Sequence, residues 1–337
     1  MQTRQRGTAD IGPPPTTIPP LEVVAATGTT TPGEPEWLWE SLRYRFWQPT
    51  DLARSIRRAG PFSVEQREAI AYWWSLPAAV ERLGPRAYAA AFVRAAERHD
   101  SDQVRWSLLA MLRDELQHEQ LCRMVVEGLA PGWPFQYAPR TTLGRQGIRH
   151  LRDVYEEAER CWDGYRRVLA QDGIGVASGA LLLGALVTGD LYERWATGCT
   201  IPAFATAFRH SARDAQRHQA VLRALATWDW PLLEAAQRSE AARQVQASAR
   251  LLSSVMLGAA ARLPGPSGDV VACLPACEGA ARQAGLGVPS AEQRQELLRA
   301  ALLEVRDLQE RFDIPFPAMP SLAILGTETD TRQGRPG

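Results

Sequence analysis

From Ser63 onward, apolar residues recur at spacings of three and four positions, and alanine and leucine dominate the chain. This period is typical of amphipathic α-helices, and no segment alternates in the way of a half-buried strand. Glycine, proline and aspartate punctuate the pattern and divide it into segments. The pattern predicts an all-α domain with helices over residues 63–83 (kinked or broken at Pro77), 86–98, 102–128, 147–171, 175–198, 202–228, 232–262, 269–284 and 290–311.

The first 62 residues follow a different pattern. Residues 1–35 hold two proline runs, repeated threonines and almost no apolar periodicity, which is typical of an extended arm without a core of its own. Residues 36–62 contain aromatic side chains with interleaved arginines, a composition that favours docking on a protein surface over stacking on nucleotide bases. We therefore predict an arm and docking segment over residues 1–62, a helical bundle over 63–262, and C-terminal helices and a tail over 263–337; the aromatic cluster comprises Trp37, Trp39, Tyr44, Phe46 and Trp47.

Charge and cysteine content narrow the class of protein. Basic and acidic residues both number 38 in the 337-residue chain, so no global positive field exists to hold nucleic acid or anionic lipid. Five cysteines are too few for a disulfide framework. The N-terminal region lacks the pattern of an export signal, and the longest apolar run, residues 176–188, is too short to cross a bilayer. These features predict a cytoplasmic protein that binds neither nucleic acid nor membrane.

The candidate chemistry lies in two related motifs a hundred positions apart. The first is Asp114-Glu115-x-x-His118 and the second is Asp214-Ala215-x-Arg217-His218. In a helix, positions i and i+3 share a face, so Glu115 and His118 can offer ligands to one metal ion. Two intervening helices would make the two motif helices antiparallel. The two aspartates are then expected to accept a histidine N–H or to pair with Arg217.

These motifs resemble the ligand helices of the hydroxylase components of soluble multicomponent di-iron monooxygenases, the group that includes methane, toluene, phenol and propane monooxygenases. The resemblance covers roughly residues 85–225. It implies a ferritin-like, ribonucleotide-reductase-like helical bundle. In that family a catalytic α subunit keeps both motifs, whereas a β subunit of similar fold has lost ligands. The Asp-Ala-x-Arg-His form and the N-terminal arm are similar to the β subunit.

The departures from the catalytic pattern concern the missing ligands. A di-iron carboxylate bundle uses two Glu-x-x-His motifs and one further glutamate on each of two helices. The resemblance implies a glutamate about 30 residues before Glu115, but Glu81 is predicted to lie beyond the break at Gly84-Pro85. The other glutamate would lie about 34 residues before Ala215, in a stretch without acidic residues. We therefore expect only Glu115, His118 and His218 to remain, as a relic or partial metal site.

The leading hypothesis is a non-catalytic β-like subunit that supports an iron-containing α subunit in an NAD(P)H-dependent complex hydroxylating a small hydrocarbon or aromatic compound. It predicts a hetero-oligomer with no iron in this chain. One alternative is a stand-alone ferritin-like iron oxygenase whose site is completed by other acids. The acids considered for this oxygenase are Glu119, Asp190 and Glu193. A second alternative is a metal-free helical scaffold.

Overall fold

The protein is described by a computed structural model that covers residues 47–257 and 268–317. Every regular element in these two ranges is helical, so the all-α prediction is confirmed. A short 3-10 helix, Trp230–Leu232, follows the seventh α-helix. The α-helices are α1 Pro49–Arg57, α2 Val64–Glu81, α3 Leu83–Glu97, α4 Asp102–Leu129, α5 Thr142–Gln171, α6 Ile174–Gly198, α7 Pro202–Asp229, α8 Ala235–Leu257, α9 Gly268–Gln283 and α10 Ala291–Glu310.

Side-chain caps fix where several helices begin. Ser63 and Gln66 form a reciprocal capping box at the start of α2, and Ser290 and Gln293 form another at the start of α10. Ser101 accepts a hydrogen bond from the first turn of α4. Because the first N–H groups of a helix have no partner within the helix, these side chains satisfy donors that have no backbone acceptor.

Some helices differ from the prediction. Pro77 lies inside α2 without ending it, and α1 occupies residues that were assigned to the docking segment. Helix α5 begins at Thr142 rather than near residue 147, because the Thr141 side chain caps it and the buried Glu68 carboxylate accepts hydrogen bonds from Arg140 N and Thr141 N. The predicted arm, with Trp37 and its aromatic neighbours up to residue 46, lies outside the described residues.

The core forms around α6, most of whose residues are buried, with α7 and α8 as its main packing partners. Helices α2 to α5 pack together on another side, and α9 and α10 cover α2, α5, α6 and α8. Helix α6 is long and apolar enough to cross a membrane by length and composition, although 83% of its most apolar window is buried inside the protein. That burial is typical of a core helix.

Helices α4 and α7 carry the two sequence motifs and face each other in antiparallel orientation. His118, late in the α4 motif, contacts Asp214, early in the α7 motif. Asp114 in turn contacts Arg217. The side chains of both motifs therefore meet in the interior.

Candidate functional site

The two motif helices bring the predicted site residues into one buried cluster. In each motif the aspartate and the histidine are buried, and Glu115 is buried with them. The imidazole ring centroids of His118 and His218 lie 6.4 Å apart. The spacing i, i+3, i+4 along each helix places these side chains on one inward face.

A further carboxylate, Glu81, joins the cluster, and here the sequence-based expectation was wrong. Glu81 is the last residue of α2, and α3 begins only two residues later, so the chain changes helix directly after Glu81. The side chain is buried, with Oε2 at 3.2 Å from Nδ1 of His118. The hydroxyl group of Tyr192 on α6 donates a hydrogen bond to Oε1 of Glu81 at 2.5 Å. The boundary between α2 and α3 therefore does not separate Glu81 from the cluster.

Each histidine lies between two carboxyl groups, which come from α2 and α7 for His118 and both from α4 for His218. Nε2 of His118 is 3.0 Å from Oδ2 of Asp214, so both ring nitrogens of His118 contact a carboxylate. Nδ1 of His218 is 3.0 Å from Oε1 of Glu115. Its Nε2 lies 3.5 Å from Asp114, which is longer than an ordinary hydrogen bond.

Arg217 connects the two aspartates. Its Nη2 donates to Oδ2 of Asp114 at 2.9 Å and to Oδ1 of Asp214 at 2.5 Å. Arg113, at the outer edge, donates to Oδ1 of Asp114 from Nε and Nη2. One guanidinium group thus bridges α4 and α7 at the point where their motifs meet.

Trp47 closes the cluster from the side of the N-terminal segment. Its indole N–H donates to Oδ2 of Asp214 at 3.0 Å, and its ring stacks at 5.9 Å on His118 and at 5.6 Å on His210. Gln117 donates to the Trp47 carbonyl oxygen. This tryptophan had been assigned to docking on a partner. It packs inside its own chain, and the only sequence signal was its aromatic character.

The pKa values of Glu81 and Glu115 are shifted in opposite directions. Burial alone would raise the pKa of Glu81, but the charge and hydrogen bond of His118 outweigh it and lower the pKa to about 2. Burial and the nearby charge of Glu81 raise the pKa of Glu115 to about 8. At neutral pH, Glu81 is therefore ionised and Glu115 keeps its proton.

The remaining groups carry balanced charges. Burial lowers the pKa of a histidine, but the carboxylates around His118 raise its pKa well above the ordinary value, and those around His218 raise its pKa to about 9. Against the effect of burial, the neighbouring cations lower the pKa of Asp114 and of Asp214. The three anions Glu81, Asp114 and Asp214 are thus paired with the cations His118, His218 and Arg217, and Arg113 contacts Asp114 from the outer edge.

A cavity of about 40 Å³ adjoins the two glutamates and is lined on the far side by α6 and α8. That volume is enough for about one small molecule the size of water. Gly84 forms part of the wall, and a Cβ atom there would lie 2.5 Å from Oε2 of Glu115. The α6 wall contains no carboxylate; its lining residues are Ala180, Leu181, Gly184, Ala185 and Thr188.

The side chains present fit one metal ion better than two. Glu81, Glu115 and His118 each offer a ligand atom, and these atoms lie within 4.8 Å of one another. A second ion beside His218 would need carboxylates from position 215 and from α6. Position 215 is alanine, and the α6 residues along the cavity have no acidic group.

The other acids considered for an iron oxygenase lie apart from the cluster. Asp190 and Glu193 are exposed on α6, and Glu193 lines a different pocket at the surface. Glu119 is half-buried on α4 and is not among the grouped candidate ligands.

Comparison of the chain with protein-family models, with curated proteins and with solved structures gave no match. The interpretation of the cluster therefore depends on its own geometry.

Proposed function

We propose that the chain is a non-catalytic, β-like subunit of a di-iron monooxygenase hydroxylase with a ferritin-like bundle. The observation that carries the proposal is the guanidinium of Arg217, which bridges Asp114 and Asp214 between the two motif helices. With the two histidines it neutralises the buried carboxylates from within the chain. The ligand set for two metal ions is also incomplete, because position 215 is alanine and the α6 residues along the cavity have no acidic group.

Losing a single member of this cluster is expected to be costly in free energy of unfolding. Removing one member of a buried ionic network strands the opposite charge and costs several kcal/mol, about 3–5 in measured cases. The network around His118 and Asp214 thus stabilises the packing of α4 on α7 only as a complete set. We infer that the chain keeps the bundle geometry for a structural role, while an α partner in the cytoplasm holds the iron and the pocket that selects a small hydrocarbon or aromatic substrate.

Co-expression with a longer chain that carries two intact Glu-x-x-His motifs tests this proposal. Because Glu115 is protonated at neutral pH, Glu115→Gln is a near-isosteric change that keeps the charge balance. We expect this variant to leave the iron content and the hydroxylation rate of the complex unchanged. The equivalent change in either motif of the partner should abolish both. Failure of the two chains to co-purify would contradict the proposal.

A second candidate function rests on the separate grouping of Glu81, Glu115 and His118. Two carboxylates and an imidazole are suitable ligands for Fe²⁺, Mn²⁺ or Zn²⁺. One ion held there would supply Lewis-acid or redox chemistry beside the small cavity. Titration of the isolated chain with Co²⁺ distinguishes the two proposals. Visible absorption that saturates at one equivalent, and that Glu81→Gln abolishes, would favour the single-ion protein; no saturable absorption would favour the subunit.

A further inference from the structure

Helix α4 has a narrow exposed strip on the side opposite its buried motif. The exposed positions from its first residue to residue 127 are spaced by four and three in alternation, with half-buried Arg113 at the centre. The strip is about 38 Å long at ~1.5 Å per residue. Its period of 3.5 residues is that of a coiled-coil seam. The members of this α4 strip are Asp102, Trp106, Leu109, Arg113, Leu116, Gln120, Arg123 and Glu127.

Large apolar side chains occupy the middle of the α4 strip. Trp106 is 49% exposed, Leu109 37% and Leu116 50%. Helix α5 offers a comparison, because it is of similar length and also has one side toward solvent. Among its exposed positions no large apolar residue occurs; arginines, glutamates and an aspartate dominate. The α4 strip therefore differs from an ordinary solvent face of this bundle.

The α4 strip is complementary to itself when a second copy lies antiparallel. A two-fold axis at Arg113 places Leu109 opposite Leu116 and Trp106 opposite Gln120. It also places Asp102 opposite Arg123, so opposite charges meet on both sides of the apolar centre, and Glu127 extends beyond the paired positions. A parallel pair would instead set each charge against its own copy. Isologous contacts of this kind are the commonest way in which identical chains associate.

Arg113 at the axis does not oppose this arrangement. Its guanidinium donates two hydrogen bonds, at 3.2 and 2.9 Å, to the buried Asp114 carboxylate of its own chain. The guanidinium is thereby held against its own chain by Asp114, a carboxylate that it shares with Arg217. Asp102 also pairs with Arg105 within the helix, but both groups lie at the surface, where such a pair is weak and exchangeable.

We propose that two copies of this chain associate through antiparallel pairing of their α4 strips, with the leucines at the centre and an Asp102–Arg123 pair on each side of them. Each buried cluster then lies on the inner side of a helix whose outer side forms the interface. The association would occur with or without an α partner, so it does not depend on the proposed function.

Sedimentation velocity of the full chain tests the proposal. We expect a dimer for the unmodified protein and a monomer, with unchanged helical circular dichroism, for Leu109→Glu combined with Leu116→Glu. The matched control is Leu232→Glu, which alters an apolar side chain that is 80% exposed elsewhere; this variant should remain dimeric. A monomeric unmodified chain at every concentration, or a dimer that survives the double substitution, would overturn the proposal.

The orientation is tested by a charge-swap cycle. Asp102→Arg alone and Arg123→Asp alone should each weaken the dimer by about tenfold, because each places like charges opposite one another. The two substitutions together should restore it. If the combined variant is weaker than either single variant, the antiparallel register is wrong.

Discussion

At the scale of single residues, Asp214 connects three parts of the chain. One of its oxygens accepts from both the Trp47 indole and the His118 imidazole, and the other accepts from Arg217. Burial would disfavour the ionised carboxylate, but these donors keep it charged by lowering its pKa. Charge-assisted hydrogen bonds of this kind are stronger than neutral ones. The indole N–H therefore connects Trp47 to the charged cluster, in addition to the Gln117 hydrogen bond to its carbonyl oxygen.

Trp47→Phe removes this donor and keeps the stacked ring. We expect a loss of about 1–3 kcal/mol in the free energy of unfolding, because a buried charged acceptor loses a partner. Denaturant unfolding followed by circular dichroism measures the change. The matched control is Trp228→Phe on the partly exposed surface of α7, which should cost much less. Equal effects of the two substitutions would show that the Trp47 hydrogen bond contributes nothing specific.

The opposite pKa shifts in the cluster predict how stability depends on pH. Glu81 has a folded pKa of about 2 against an ordinary 4.5, so its contribution is lost as pH falls through this window. Glu115 and His218 have raised folded pKa values of about 8 and about 9. Their contributions are complete only below their ordinary pKa values of 4.5 and 6.5 and are lost as pH rises toward 8 and 9.

Stability of the chelator-treated protein should therefore be highest near about pH 5 and decline toward pH 9. Glu115→Gln cannot titrate and should show a smaller decline between pH 5 and 8. Denaturant midpoints measured across this range provide the test. Stability that increases steadily from pH 5 to 9 would contradict the assigned protonation states.

The buried residues are also expected to act as one network. Glu115→Ala should destabilise the chain clearly, by about 1–3 kcal/mol, since it leaves the buried His218 without its closest hydrogen-bonding partner. Replacing Glu115, His118 and His218 together by leucine should cost less than the sum of the three single replacements. Thermal or chemical unfolding measures the four variants. Strictly additive losses would mean that the three side chains do not interact.

At the scale of elements, the turn from α2 into α3 determines the shape of the cluster. It places Glu81 at the end of one helix and Gly84 near the start of the next. The absence of a side chain at Gly84 leaves room for the Glu115 carboxyl group.

Gly84→Ala should therefore destabilise the protein, although alanine is favoured over glycine in helices by about 0.5–1 kcal/mol. In a Glu115→Ala background the same substitution should become neutral or stabilising. Gly184→Ala on α6 is the matched control, because a Cβ atom there meets nothing within 4 Å, and it should stabilise the protein. The free energies of unfolding of these variants form a double-mutant cycle. Independent effects of Gly84→Ala and Glu115→Ala would contradict the close contact.

The sequence was sufficient to predict the helical class, most helix positions and the inward-facing motif residues, because these follow from a period of 3.6 and from local spacing. It was not sufficient for Glu81, Tyr192 and Trp47. Each of these reaches the cluster through a turn or a crossing between helices, and such tertiary geometry leaves no periodic signal. The cap at Thr141 and helix α1 were missed for a related reason, since packing on neighbouring helices stabilises both.

At the scale of the whole molecule, the bundle encloses a buried charged cluster within an otherwise apolar core. The most apolar helix, α6, faces the cluster with small side chains and one tyrosine hydroxyl. The charges are balanced by residues of α2, α4 and α7. A buried set of this kind is tolerated because every charge has an opposite partner within reach. We therefore expect a fold that needs no metal ion for its stability.

Elemental analysis of the chain purified alone from iron-replete cells shows whether the cluster holds a di-iron centre. We predict far less than two iron ions per chain, together with a folded, cooperatively unfolding protein whose midpoint is unchanged by a chelator. Two iron ions per chain, with a chelator-induced loss of stability, would contradict this prediction.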